Sequence, residues 1–144
     1  MLASIGCKVV FGTYRGVTTA MRPLVPAYLS HRVKKGKEDQ ARLSERYGYA
    51  TISRPPGPLI WAHGASVGET LAIMPLLGRL GGRGFNLLLT SGTVTSARLA
   101  AQRLPAGILH QYLPLDVSSF VARFHEHCRP DLSLFAESEL GPNL

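Results

Sequence analysis

Acidic residues are scarce in this chain, and none of its nine precedes Glu38. Sixteen lysines and arginines oppose them across 144 residues, and the resulting net charge of +7 favours acidic partners: nucleic acid, phospholipid or a phosphorylated substrate. Cysteine is scarcer still. Cys7 and Cys128 lie far apart and match no metal or redox spacing, so no disulfide framework is implied and a reduced, cytosol-facing protein is expected. Long apolar runs are missing too. Basic residues interrupt the amino-terminal stretch too often to leave the roughly 18 apolar residues a membrane span needs, and the charged-then-apolar-then-small order of a signal peptide is absent. What remains is one ordinary domain, long enough to bury a core.

From Leu2 to Leu24, apolar residues recur close to helical spacing at Leu2, Ile5, Val9, Val10, Val17, Met21 and Leu24, until Pro23 interrupts. Lys8, Arg15 and Arg22 are seven apart and form one basic stripe on such a helix. With the cluster Arg32, Lys34, Lys35 and Lys37 behind it, residues 1–37 have what an interfacial helix on an anionic membrane surface requires. The plainer alternative is an amphipathic helix packed on the domain. Residues 38–57 are expected to form a short charged helix over Glu38 to Tyr47, ended by Gly48, and a proline-rich linker into the sheet.

After Pro58 come four apolar runs bounded by turn residues: Leu59 to Trp61, Asn86 to Thr90, Ile108 to Leu113, and Leu132 to Ala136. Helical patterns lie between them. One spans Ser66 to Leu80, with Pro75 expected to kink it or cost an internal bond. Another runs from Val94 to Leu104. A third carries Val117, Phe120, Val121, Phe124 and Cys128 on one face, with Asp116 as its expected N-cap and Arg129-Pro130 as its stop. Strand, helix, strand at this spacing gives right-handed crossovers, so residues 58–144 read as an α/β domain with a Rossmann-like parallel sheet. Ligands in such sheets bind beyond the carboxyl ends of the strands. That selects the turns His63 to Glu69, Thr90 to Ser96, Pro114 to Ser119, and Glu137 to Asn143.

The first turn is the most informative. Ser66 and Glu69 form a capping-box pair, so a helix opens there with its orphan N–H groups facing whatever binds. Gly64-Ala-Ser-Val-Gly68 also fits the nucleophile elbow of serine hydrolases, with Ser66 as nucleophile and Asp116 and His125 or His127 completing a triad. Against that, the elbow stands on the first strand, and the candidate histidines lie on a helix. His125 and His127 are two apart and point to nearly opposite sides of that helix, so they cannot share a metal ion and read as surface histidines. His63 either orders the loop, contacts substrate or is a hydrogen-bonded structural residue. The hydroxyl-rich Thr90 to Ser96 turn offers donors to an anion or sugar, or simply caps a helix. Glu137 and Glu139 bring two carboxylates to the same edge.

Several stretches together, His63-Gly-Ala-Ser-Val-Gly-Glu-Thr70, Thr90-Ser-Gly-Thr-Val-Thr-Ser-Ala97, His110-Gln-Tyr-Leu-Pro-Leu-Asp116, Arg129-Pro-Asp-Leu and Glu137-Ser-Glu-Leu-Gly-Pro-Asn143, resemble in order and spacing the amino-terminal domain of 3-deoxy-D-manno-octulosonic acid (Kdo) transferases. Gly36-Lys-Glu38 and Glu45-Arg-Tyr-Gly48 are similar to that family as well. The resemblance implies the amino-terminal half of a GT-B glycosyltransferase on the cytoplasmic face of the cell inner membrane. Its reaction would move Kdo from CMP-Kdo to a lipid A precursor, with inversion and without a metal or other cofactor. It makes Glu69 the general base and Glu137 the group that stabilises the transition state. Ser66, Gly68, Thr93 and Glu139 fall where the acceptor would lie. The basic charge is then assigned to a phosphorylated lipid on an anionic membrane and not to nucleic acid. Two positions depart from the family: Gly141 stands where Trp is usual, and Gly64 where Ala is more usual. The family's donor-binding domain is not among these residues, so the isolated chain is expected to have little or no transfer activity. A serine hydrolase and a non-catalytic membrane-surface binding module are the alternatives.

Overall fold

The four apolar runs pair into one sheet, and the two central ones, Leu59–Gly64 and Asn86–Ser91, are buried on both faces along almost their whole length, as parallel strands under crossover helices must be. The structure, a computed structural model, describes residues 2–136; Glu137, Glu139 and Gly141 lie outside them. An amino-terminal arm comes first, with α1 (Leu2–Ala20), α2 (Val25–Lys34) and the one-turn α3 (Leu43–Arg46). Strands and helices then alternate as β1 (Leu59–Gly64), α4 (Val67–Gly81), β2 (Asn86–Ser91), α5 (Val94–Arg103), β3 (Leu109–Tyr112), α6 (Ser118–Cys128) and β4 (Leu132–Phe135). All pairings are parallel and the order is β3-β2-β1-β4, which bears out the α/β, Rossmann-like expectation.

Two apolar layers sandwich this sheet. Ile60, Ala62, Leu87 and Leu89 face Ile73 and Leu77 of α4 and Ala100 of α5. The alternate residues Leu59, Trp61 and Leu88 face Phe124 and Cys128 of α6. The first two crossovers therefore lie on one face and the third on the other, so the chain changes direction between β1 and β4. A third cluster, in which Val25 and Leu29 of α2 meet Val117 and Phe120, fixes the arm to the start of α6.

Three local expectations need correction, and a fourth, at Pro75, holds. His63 and Gly64 do not turn the chain: they extend β1, in register with Thr90 and Ser91, and the turn begins at Ala65. Pro75 costs α4 an internal bond, the second of the two outcomes expected of it: α4 runs through Pro75 as one element, and because Pro75 and Leu71 are both exposed, water can satisfy the Leu71 carbonyl that loses its N–H partner. Glu38 to Tyr47 is not one helix but a 3₁₀ turn at Gln40–Arg42, capped by Asp39, followed by α3. Glu38, Glu45 and Arg46 are buried, and their pairing overrides helical continuity. The α6 N-cap is Val117, without a side-chain bond, because Asp116 instead accepts a hydrogen bond from the Tyr14 hydroxyl of α1.

Candidate functional site

At the carboxyl end of β1 the strand runs straight into a helix, and glycine is what allows it. A Cβ at Gly64 would stand 2.9 Å from the Thr70 nitrogen and 2.8 Å from its Oγ1. The Thr70 hydroxyl donates to the Ser66 carbonyl at 2.8 Å, tightening the first turn of α4. The capping box forms as its spacing requires. Ser66 Oγ accepts the Glu69 N–H at 3.3 Å, while Glu69 Oε2 accepts the N–H groups of Ala65 at 2.7 Å and Ser66 at 3.3 Å. Both reciprocal bonds fall on Oε2, so the half-buried carboxylate is held in one orientation with Oε1 taking no part in the cap.

The loop after β2 closes against this turn. A Cβ at Gly92 would lie 3.4 Å from the Ala65 carbonyl oxygen, and the contact brings exposed Thr93 to the same edge as exposed Ser66 and Gly68. Thr93 caps α5, accepting the Ser96 N–H at 3.1 Å. Beneath them lies His63, buried on the α6 face. Its Nδ1 is 2.9 Å from Thr90 Oγ1 and 3.1 Å from the Thr90 carbonyl, while Trp61 Nε1–H donates to the same hydroxyl at 2.9 Å. Burial pushes the His63 imidazole below its ordinary value, against the opposing pull of the Thr90 carbonyl and the nearby Glu69 carboxylate. This neutral histidine ties β1 to β2 just under the turn, which is the structural role among those its sequence position left open.

A serine hydrolase triad is not assembled. Ser66 has ordinary extended angles (φ −112°, ψ 168°) as an N-cap, without the strain of a nucleophile elbow. Asp116 is held by Tyr14, His127 Nε2 sits 2.8 Å from the Ile52 carbonyl, and the His125 ring packs edge-on to Trp61 at 5.3 Å. His125 is thus half-buried rather than a surface residue, and burial lowers its pKa.

Sequence reasoning missed a buried network on the β3 side of this edge. Arg42 grips both oxygens of fully buried Glu45, at 2.9 Å each, and Glu45 Oε2 also accepts the Tyr112 N–H at 2.6 Å. Arg42 Nη1 lies 3.3 Å from His110 Nδ1, and His110 Nε2 lies 2.9 Å from Ser91 Oγ. Because a guanidinium only donates, Nδ1 accepts and Nε2–H donates to Ser91. Arg46 and Glu38 are likewise buried, 3.3 Å apart, with Arg32 donating to Glu38 at 2.8 Å. The one available signal was the i, i+3 spacing of Arg42 and Glu45, which reads as a surface pair.

A parallel sheet with helices on both faces, and a carboxylate held at the helix N-terminus beside the direction change, define an α/β domain of the Rossmann-like class with its candidate site at the carboxyl edge. Residues 41–144 match the family of 3-deoxy-D-manno-octulosonic-acid transferases (kdotransferases), and the chain belongs to that family. The probable mitochondrial 3-deoxy-D-manno-octulosonic acid transferase of Arabidopsis thaliana is 36% identical over 137 residues, covering 94% of this chain and 31% of that protein. The 3-deoxy-D-manno-octulosonic acid transferase of Haemophilus influenzae is 35% identical over 136 residues, 91% of this chain and 31% of that protein. That of Rickettsia bellii is 36% identical over 124 residues, 83% and 30% respectively. The chain thus spans about a third of the length of these relatives.

Proposed function

We propose that this chain is the acceptor-binding part of a Kdo transferase, the amino-terminal half of a GT-B enzyme that moves Kdo from CMP-Kdo to a lipid A precursor in lipopolysaccharide biosynthesis. The observation that carries the reading is Glu69. In a chain of this family, its carboxylate is fixed through Oε2 at the edge where Rossmann-like sheets bind ligands. Glu69 then takes the proton from the acceptor hydroxyl as that oxygen attacks the anomeric carbon of Kdo and CMP departs from the opposite side, inverting the centre. Removing the proton in concert with attack avoids a free alkoxide, and a cap-locked carboxylate costs little reorientation. Glu137, which follows Ala136 in the sequence, outside the described residues, stabilises the transition state. Ser66, Gly68, Thr93 and Glu139 contact the acceptor, and no metal takes part. Donor binding belongs to residues beyond this chain. The exposed apolar and basic amino-terminal arm holds the protein to the cytoplasmic face of the inner membrane, where the acceptor lies.

The test is Kdo transfer to a lipid A precursor by this chain joined to the donor half of a relative. Glu69→Gln should abolish transfer, a loss of about 100-fold or more, whereas Ser66→Ala should weaken it only a few-fold. Retained activity in Glu69→Gln, or a folded unmutated fusion that forms no product, overturns the reading.

A further inference from the structure

An apolar groove of about 230 Å³ lies where the arm meets the sheet domain. Met21, Leu24, Val25 and Tyr28 line it from the arm, and Leu115 and Val117 from the loop between β3 and α6. That loop stands at the carboxyl end of β3, on the edge of the parallel sheet that also carries Glu69. None of the proposed catalytic groups lines the groove. Sites that enclose a whole small molecule run to about 300–1,000 Å³, and this one is smaller, so it suits one part of a larger ligand.

Its lining offers almost nothing to a polar ligand. Thr18, which also lines it, donates its hydroxyl to the Arg15 carbonyl at 3.2 Å within α1. The Leu115 N–H donates to the Arg46 carbonyl at 2.9 Å and the Val117 N–H to the Leu115 carbonyl at 2.7 Å, so these donors of the loop are taken as well. Val25 and Val117 are buried in one cluster with Leu29 and Phe120, which holds the two sides of the groove together. Met21, Leu24 and Tyr28 are exposed, an apolar surface that gains by leaving water. Around it the charge is of one sign: residues 1–37 hold seven lysines and arginines and no acid. Arg22, between Met21 and Leu24 in the chain, stands 5.8 Å over the Phe120 ring and pairs with no carboxylate among the described residues. Asp116, the acid between Leu115 and Val117, accepts the Tyr14 hydroxyl.

These two features select the ligand class. A sugar ring or an extended peptide would bring hydroxyls, or main-chain N–H and C=O groups, to a lining with almost no partner left for them. An inorganic anion would meet Arg22 but leave the apolar side chains in water. An acyl chain carries no polar atom and gains with every methylene it buries, and an anionic head attached to it is matched by the cations of the arm. We propose that this groove takes one acyl chain of the lipid acceptor, whose phosphorylated sugar end then lies along the carboxyl edge toward Glu69. The inference rests on the acceptor being a phosphorylated lipid, and it deepens that reading by giving the acceptor's acyl part a site of its own.

The test begins with the 144-residue chain, ¹³C-labelled at its methyl groups and titrated with monomeric decyl phosphate, with octyl phosphate and inorganic phosphate as comparisons. Decyl phosphate should shift the methyl signals of Met21, Leu24, Leu115 and Val117 in a saturable way, with Kd on the order of 0.1 mM. Octyl phosphate, shorter by two methylenes, should bind about tenfold more weakly, and inorganic phosphate should leave these signals alone. Thr18→Trp, which fills the groove, should weaken binding about tenfold or more, and the milder Met21→Gln about threefold. Phe85→Ser, at an exposed apolar position before β2, should leave it unchanged. Dispersed amide spectra check that each variant folds. In the chain joined to the donor half of a relative, Thr18→Trp should raise KM for an acylated lipid A precursor about tenfold with little change in kcat, and leave KM for the fully deacylated precursor unchanged. No saturable shift, no dependence on chain length, or an equal change in KM for both acceptors overturns the proposal, the last by giving the groove to bulk membrane lipid. If that happens while transfer still depends on Glu69, the catalytic reading stands and the groove alone falls. If the acyl dependence holds but transfer ignores Glu69, the reverse follows.

Discussion

At Gly48 the backbone is left-handed, with φ +82°, and a Cβ would overlap the Phe120 carbonyl oxygen. That carbonyl belongs to the first turn of α6, and the Tyr47 ring beside it packs edge-on to Phe120 at 5.3 Å. Neither side can yield: one is helix backbone and the other is pinned by α3. Gly48→Ala therefore combines conformational strain with a backbone clash, and should destabilise the fold by about 3 kcal/mol or more in urea unfolding. A loss under about 1 kcal/mol would show that the arm adjusts freely. Gly64 poses a milder version of the same problem. Its missing Cβ would press on Thr70, so Gly64→Ala needs α4 to begin slightly farther from β1 than it does here.

Among the elements, the strand and helix alternation was legible because the central strands are buried on both faces and read as apolar runs. Leu87, Leu88 and Leu89 form an unbroken apolar run, and Ser66 with Glu69 announces a helix start by local spacing alone. The docking of α3 on β3 was not legible. Glu45 bonds to Tyr112 across 67 residues and Tyr14 to Asp116 across 102, and no window of sequence shows a charged residue that its partner is close enough to bury it. This junction also has a pH signature. Burial, and then the Arg42 guanidinium, push His110 from 6.5 down to about 4, so the unfolded chain takes up a proton at higher pH than the folded one. Stability from this group is complete above about pH 6.5 and is lost progressively as the pH falls toward about 4. From about pH 7.5 to about pH 5, His110 alone should remove about 2 kcal/mol. His63 and His125 shift in the same direction and add to the total, so the informative quantity is a difference. The same pH change should cost His110→Gln less than the unmutated chain in urea unfolding; equal losses would mean that His110 can take its proton without leaving Arg42.

For the whole molecule, the unsettled element is the arm, because a stripe of apolar residues suits both a packed helix and a membrane-surface one. Tyr14, through Asp116, marks the side of α1 turned toward the domain. Val10 is 69% exposed and Leu24 61%, with Val17 and Met21 exposed between them. An apolar groove of about 230 Å³ continues this surface along Met21, Leu24 and Tyr28 to Leu115 and Val117. Among the described residues no helix is long and apolar enough to cross a bilayer, so attachment through the arm would be at the surface. The arm carries its cations beside that apolar face, with Arg22, Lys34 and Lys35 all exposed, and each cation near an anionic leaflet contributes about 1 kcal/mol. We therefore expect the chain to sediment with vesicles containing about 30% anionic lipid, at least tenfold more tightly than with neutral ones. Raising the salt to about 0.5 M should release much of it, since surface charges are then screened within a few ångströms. The double substitution Val17→Asp with Leu24→Asp should abolish binding without unfolding the sheet, because neither side chain is buried. Binding that ignores both lipid charge and these substitutions would place the membrane contact elsewhere, and leave the arm as an amphipathic helix whose exposed face has another partner.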